Sequence, residues 1–441
     1  MRSIIFLVLF VVVFSVSCES EKKVNVLLIL TDTTRADHLS CYGYERNTTP
    51  HIDSLVAAGT IAEWCQAQSS WTLPTMTTIL SGVNTVTHGA GRSSSGFHGI
   101  SPDVPWLPLA FHRAGYRTAA FFNVMFMNED FGFHKGFQHF DCQGVASGNS
   151  LRKAGPTVDD FLGWLDNGSS DEPFFAAVHF YDPHIPYKAP EPFRYMYSNP
   201  DYSGEYGVDW GDMTEMIAIN SGDVIPTEAD IQNLIDLYDA EITYMDSEIG
   251  RMLEELRIRG LAENTLIVLV GDHGEEFMEH DGIEHGRTLY QEMTHVPLIL
   301  AGPGFNGGNR ISESVGQLDI AGTIANQTGI EFTSIEPAIN LSEAINSERE
   351  IPASGVLWRP EGDIVSIVAN QNKIIWSVED DSIESFSLLE DPFEQNIILP
   401  PMSGLLEAAE FYWVTPPMGE APLVDYSETA SRELRNLGYI R

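Results

Sequence analysis

From Val24 onward, short apolar runs alternate with longer amphipathic ones. The run "VNVLLIL" (24–30) is unbroken and stops at Thr31-Asp32, whereas "TPHIDSLVAAG" (49–59) has helical spacing and a glycine stop at Gly59. Short runs apolar on both faces return in "YRTAAFF", "PFFAAVHF", "NTLIVLV" and "HVPLILAG". Helical stretches lie between them, the longest at 228–260. A strand covered on both faces loses the apolar–polar alternation of a half-exposed one. The pattern therefore predicts an α/β fold, with a mostly parallel sheet flanked by helices. Past Gly329 the rhythm changes: "GDIVSIVANQNKIIWSVED" alternates like a hairpin, and Pro400-Pro401 and Pro416-Pro417 interrupt the remainder of the chain. We expect an α/β domain over 24–330 and a small antiparallel C-terminal subdomain over 331–441.

The N-terminus has a different logic. Arg2 precedes an apolar run at 4–14 and then Ser15-Val16-Ser17-Cys18. The run is short for a membrane span and has the charge-then-apolar order of a signal peptide over 1–17. The small residue before Cys18 favours lipidation of that cysteine, with plain cleavage second and an uncleaved anchor third. The protein is thus expected to be exported, periplasmic or cell-surface, and lipid-anchored through Cys18. Cys41, Cys65 and Cys142 remain, too few for a disulfide framework, so buried thiols are expected, with one bridge left open.

Charge narrows the chemistry. With 24 basic against 63 acidic residues the net charge is −39, which excludes nucleic acid and anionic membrane surfaces as partners. An anionic substrate would need a local cluster of cations or a metal. In parallel sheets ligands gather at the carboxyl ends of strands. Asp32 follows the first strand, and Asp272 and His273 follow a later one. Two carboxylates and an imidazole there suit one divalent cation: Ca²⁺, Mg²⁺ or Zn²⁺. Thr72, in "SSWTLPTMTTILSG", stands at the mouth of a short helix, either as an N-cap or as a nucleophile activated by that cation. His184, in a proline-flanked loop, reads as functional, and His179, inside a strand, as structural. Asp182, His184 and His285 are a candidate second metal site. The aromatic segment 190–210 reads as a rim or lid, or as an inserted surface loop.

These residues fall in longer motifs: "NVLLILTDTTRADHLSCYGYERNTTPHIDSLVAAG", "WTLPTMTTILSGVNTVTHG", "HFYDPHIPY", "ENTLIVLVGDHGEEFMEHDGIEHGRTLYQEMTHVPLIL", "EDPFEQN" and "LRNLGYI". In this order along the chain they resemble the sulfatases, within the alkaline phosphatase superfamily. The resemblance implies that Asp32, Asp272 and His273 are metal ligands and that Thr72 is a ligand and the nucleophile. It further implies that His184 acts near the leaving group and that His285 and Arg287 contact the ester oxygens. The chain departs from the family at telling places. Sulfatases oxidise a cysteine or serine to formylglycine, but threonine carries a β-methyl group and would give a ketone. Met76 stands where the family has an arginine, and Thr33 where it has a second aspartate.

The resulting expectation is a metal-dependent hydrolase of sulfuric or phosphoric esters, including phosphodiesters and phosphonates, carried on small molecules or glycans. A phosphoethanolamine-type transferase and a non-catalytic binding protein are the alternatives. Mass spectrometry of the mature N-terminus tests the export signal: the chain should begin at a lipid-modified Cys18, and an unmodified peptide spanning Met1 and Cys18 would contradict export.

Overall fold

The computed structural model of the chain describes residues 22–425 and 431, apart from 144–151, 170–171, 205, 208–209, 212, 334–337, 344, 346–347 and 358–361. The leader 1–17, Cys18 and the "LRNLGYI" stretch lie outside the described residues.

Eight strands build one sheet: β1 (Asn25–Thr31), β2 (Thr60–Gln66), β3 (Arg117–Phe122), β4 (His139–Cys142), β5 (Phe174–Phe180), β6 (Thr265–Gly271), β7 (His295–Ala301) and β8 (Asn309–Gly316). Their spatial order is β8-β2-β7-β6-β1-β5-β3-β4. Only β7 runs against its neighbours, β2 and β6; all other pairs are parallel. Strands β2, "TIAEWCQ", with Glu63 and Trp64 half-buried, and β8, "NRISESVG", with five positions not buried, are hidden in the apolar pattern.

The two-residue period of a strand sorts its side chains into two cores. All seven positions of β1 are buried. Four helices matter here: α1 (Pro50–Ala58), α2 (Thr72–Ser81), α3 (Ala154–Asp166) and α4 (Glu228–Ile258). Val26, Leu28 and Leu30 join Leu73, Met76 and Ile79 of α2 on one face. Leu27 and Ile29 join Val158 of α3 and Met245, Ile249 and Met252 of α4 on the other. A one-residue slip of β1 would exchange the two sets, so the register is fixed.

Helix ends are fixed by local chemistry. A capping box between Thr227 and Asp230 starts α4. Pro50 opens α1, whose free His51 and Ile52 N–H groups donate to the Asp246 carboxylate of α4 at 3.0 and 2.8 Å. Gly82, at φ +67°, ends α2 in the left-handed region that a side chain would resist.

Downstream, β9 (Ile351–Ser354), β10 (Ile364–Ala369), β11 (Asn372–Ser377) and β12 (Ile383–Ser387) form a separate antiparallel sheet in sequential order. Helix α5 (Ser403–Trp413) covers it, packing Ala409 and Tyr412 on Val365, Ile367 and Trp376. This unit grips the large sheet: Ser354 N–H donates to Gln68 O at 2.9 Å, and Trp71 Nε1 donates to Gly355 O at 2.6 Å. Lys373 Nζ meets Glu394 Oε1 at 3.0 Å, both fully buried. Cys41, Cys65 and Cys142 are not joined by any disulfide, so the bridge left open by sequence is not formed. Among the described residues no helix is long and apolar enough to cross a membrane.

His280 joins the two parts. Its ring stacks on Tyr290 with centroids 3.6 Å apart, Nδ1 lies 2.7 Å from Glu292 Oε1, and Nε2 lies 3.2 Å from Glu394 O. Burial opposes its charge, but the Glu292 carboxylate outweighs burial and raises the imidazole to about 9. Because the folded value lies above the unfolded one, this contribution is complete below about pH 6.5 and is lost as pH rises through 9. The melting-temperature advantage of the unsubstituted protein over His280→Gln should therefore be largest near pH 6 and vanish by pH 10; a difference constant across that range would contradict it.

Candidate active site

The central trio β6-β1-β5 delivers the polar residues. Asp32 N–H donates to Phe180 O at 2.9 Å and Asp272 N–H to Thr31 O at 3.0 Å, so the three strand ends stay in step as they leave the sheet. Asp32, Asp272 and His273 are fully buried, and one ligand atom from each lies within 4.8 Å of the others.

Asp272 and His273 are each anchored by one atom and free at another, whereas neither carboxylate oxygen of Asp32 makes a hydrogen bond. Asp272 Oδ1 accepts from Thr33 N–H at 3.0 Å and from His273 N–H at 2.7 Å. Its Oδ2 accepts no protein hydrogen bond beyond the nearby Thr72 hydroxyl. His273 Nδ1 donates to Gly274 O at 2.9 Å, which leaves the Nε2 lone pair facing Asp272 Oδ2 at 3.3 Å and Asp32 Oδ1 at 3.6 Å. Gly274 is required there, since a Cβ would fall 1.8 Å from Glu292 O. Gln317 supports the loop from behind, donating to Gly271 O and Asp272 O at 2.7 and 2.6 Å.

The free atoms carry the electrostatic problem. Burial raises Asp272, and the charge of Asp32 raises it further. Burial also works against Asp32, but the close His179 ring and the other nearby imidazoles outweigh it and hold that carboxyl at about 2. Burial keeps His273 well below the usual imidazole range. Buried, unpartnered carboxylate oxygens beside an imidazole lone pair are the donor set of a hard-to-borderline divalent cation. The residues present fit one metal ion.

Thr72 completes the wall. The N-cap of α2 is Trp71, in extended backbone, and Thr72 is the first helical residue. Its hydroxyl does no capping and lies 3.4 Å from His273 Nε2. The N-cap alternative for Thr72 is thus set aside. Met76 is packed in the apolar core.

His184 and His285 form the opposite side. Their rings meet edge-on with centroids 4.8 Å apart, and His285 lies 4.5 Å from the His273 ring. His184 Nδ1 donates to Ile185 O at 2.6 Å, and burial lowers this imidazole to about 4. His285 Nδ1 lies 3.1 Å from Glu275 Oε1; burial opposes its charge, but Glu275 prevails and raises it to about 9. Tyr187 O–H donates to the other Glu275 oxygen at 3.3 Å. Arg287 stands apart, half-buried, with Nη2 donating to Asn220 O at 3.4 Å rather than to any member of the cluster. Asp182, His184 and His285 do not converge as a second metal site: Asp182 Oδ1 turns away to accept from Ala154 N–H at 3.0 Å, and among the described residues only the Asp32 group offers three ligands within reach of one another.

The sulfatase family model matches residues 24–330. The chain belongs to the sulfatase family. It is 25% identical over 398 residues to a sulfatase of Formosa agariphila, covering 75% of this chain and 76% of the relative. To an arylsulfatase of Clostridium perfringens it is 23% identical, covering 84% and 89%. A protein solved in complex with its substrate D-glucosamine-2-N,6-O-disulfate superposes with a TM-score of 0.70 at 20% identity, over 90% of this chain and 100% of the other. The phosphonate monoester hydrolase of Agrobacterium radiobacter superposes with a TM-score of 0.68 at 19% identity, over 88% and 94%. The family is one of ester hydrolases, as the motifs led us to expect, and the sheet and the small C-terminal sheet are those of the alkaline phosphatase-like sulfatase fold.

Sequence reasoning missed Glu275 and Gln317, and it read His179 as structural although its ring abuts Asp32. The signal was present: His179 is the one polar residue of the apolar run "FFAAVHF".

Titration of the metal-free protein with Ca²⁺, Mg²⁺ and Zn²⁺ should raise its melting temperature, since at a hundredfold excess over Kd binding adds about 2.7 kcal/mol. Asp272→Asn removes a buried charge facing Asp32, so it should melt higher than the metal-free parent yet gain nothing from the cation. A full cation-induced gain in Asp272→Asn would contradict the site.

Proposed function

We propose that this sulfatase-family chain is a metal-dependent hydrolase of phosphoric, phosphonic or sulfuric esters that uses unmodified Thr72 as its nucleophile. The observation that carries this is the hydroxyl of Thr72, buried in the first turn of α2 and 3.4 Å from Nε2 of His273, whose ring lies beside the unpartnered oxygens of Asp32 and Asp272. Asp32, Asp272, His273 and Thr72 would hold the cation, which when bound lowers the hydroxyl pKa and neutralises charge on the ester oxygens.

The chain's own groups account for the remaining steps. Backbone N–H groups of the first turn of α2 face the anionic group and orient it. Thr72 releases its hydroxyl proton to solvent, Oγ attacks phosphorus or sulfur, and the bond to the leaving oxygen breaks. The leaving oxygen takes a proton from His285, whose cationic form Glu275 supports. This reading moves the proton donor from His184, which burial keeps neutral and whose Nδ1 proton is tied to Ile185 O. His184, with Nε2 unprotonated, can accept a hydrogen bond from the leaving group once it is a hydroxyl. Water attacking the Thr72 ester releases the acid and restores the hydroxyl.

The neighbouring cations are already spent on acidic partners. Arg35 pairs with Asp37 and Glu279, Arg152 with Asp141 and Asp160, and Lys153 with Glu241. The positive charge that meets an ester anion thus falls to the metal, His285 and the helix end. Relatives named for N-acetylglucosamine-6-O-sulfate and the neighbour solved with a glucosamine disulfate support a small-molecule or glycan ester as the substrate.

Thr72→Ser keeps the oxygen and should retain measurable turnover. Thr72→Ala should lose on the order of 10⁴–10⁶ in kcat, the range for removal of a covalent nucleophile. A plain alkoxide suits phosphoryl transfer, so phosphodiesters and phosphonate monoesters should outrun aryl sulfates in a panel run with each metal. Efficient aryl sulfate cleavage without phosphoester turnover would refute the preference, and a fully active Thr72→Ala would refute the nucleophile.

A further inference from the structure

The two oxygens of Asp32 face different partners. Oδ1 lies on the His273 side, 3.6 Å from Nε2, among the free atoms of the cation site. Oδ2 lies 3.3 Å from Nε2 of His179, a residue of β5 with no exposed surface, paired across the sheet with Leu30. Both atoms are buried, and neither is engaged by a hydrogen bond elsewhere.

The tautomer of His179 follows from its other nitrogen. Asn123 N–H donates to His179 Nδ1 at 3.4 Å, so Nδ1 is an acceptor and the neutral ring carries its proton on Nε2. Nε2 lies 3.3 Å from Asp32 Oδ2, and neither atom makes a hydrogen bond. The ring has little freedom to turn away, because Asn123 holds the residue twice, its side-chain Nδ2 also donating to His179 O. Asn123 is held in turn: Nδ2 donates to Thr157 Oγ1 at 3.1 Å, and Oδ1 accepts from Arg152 Nε at 2.8 Å.

We propose that His179 is a positioning residue for the metal ligand Asp32: its Nε2–H binds Oδ2, so that Asp32 presents Oδ1 alone to the cation. The assignment rests on the metal-site reading above and deepens it. It gives Asp32 the same division that Asp272 and His273 already show, one atom anchored by the protein and one left for the ion. Thr33, where the family has a second aspartate, has its hydroxyl buried and without a partner. With that carboxylate missing, the orientation of Asp32 bears more of the site's affinity.

The test uses the metal alone, whichever of Ca²⁺, Mg²⁺ and Zn²⁺ the unsubstituted protein binds tightest by calorimetry. Loss of an outer-shell partner costs 10- to 100-fold in metal affinity. His179→Leu should weaken the cation by about that factor, while His179→Gln, which keeps an N–H donor, should recover most of it. A purely structural His179 would lower the metal-free melting temperature in both variants without separating their affinities. Equal affinity in the parent and His179→Leu would overturn the proposal. A parent that binds none of the three ions would instead overturn the metal-site reading itself. Should His179→Leu fail to fold, ¹⁵N-histidine NMR of the unsubstituted, metal-loaded protein decides: His179 should be the neutral Nε2–H tautomer, and an Nδ1–H tautomer or a metal-bound Nε2 would overturn the proposal.

Discussion

Two carboxylates, Asp32 and Asp272, are buried side by side at the ends of adjacent parallel strands, and the organisation of the site follows from that conflict. Neither has enough protein hydrogen bonds to satisfy both oxygens, and each opposes the ionisation of the other. A folded chain tolerates this only if a cation resolves it or if one carboxyl stays protonated. The fold leaves room for the first solution, with His273 in reach of both carboxylates and Thr72 beside it.

The surrounding structure can be understood as support for that gap. The parallel trio β6-β1-β5 keeps three strand ends level, and a strict two-core sorting of side chains prevents any slip in their register. Outer contacts then fix each ligand from behind: Thr33 N–H on Asp272, Gly274 O on His273, His179 on Asp32 and Gln317 on the strand end. The C-terminal sheet contributes from a distance. By accepting the Trp71 indole proton at Gly355 O, it holds the residue that starts α2, and so the position of Thr72.

The acidic surface and the acidic site are separate matters. A net charge of −39 repels anionic esters at long range, and Arg35 and Arg152 are each neutralised by two carboxylates. On the function proposed here, attraction acts within the pocket, where low dielectric would make a bound cation, one imidazolium and one helix end effective over a few ångströms. The glutamate that supports the imidazolium, Glu275, belongs to the same Asp-His-Gly-Glu segment as the metal ligands.

The sequence by itself determined the element types, the mostly parallel sheet, the change of character after Gly329, and the identity of Asp32, Thr72, Asp272, His273, His184 and His285 as the residues to watch. Those features are local: apolar runs set strands, helical spacing and glycine stops set helices, and polar residues at strand ends are visible in one dimension. Tertiary structure alone decided the rest. It reversed β7 within the sheet and hid β2 from the apolar pattern, because strand direction and edge exposure depend on neighbours. It separated Asp182 from His285, directed Arg287 toward Asn220, and turned His179 from a core residue into a contact of Asp32. Which atom of a side chain is bound and which is free depends on chain segments tens to hundreds of residues away, and no local pattern records that.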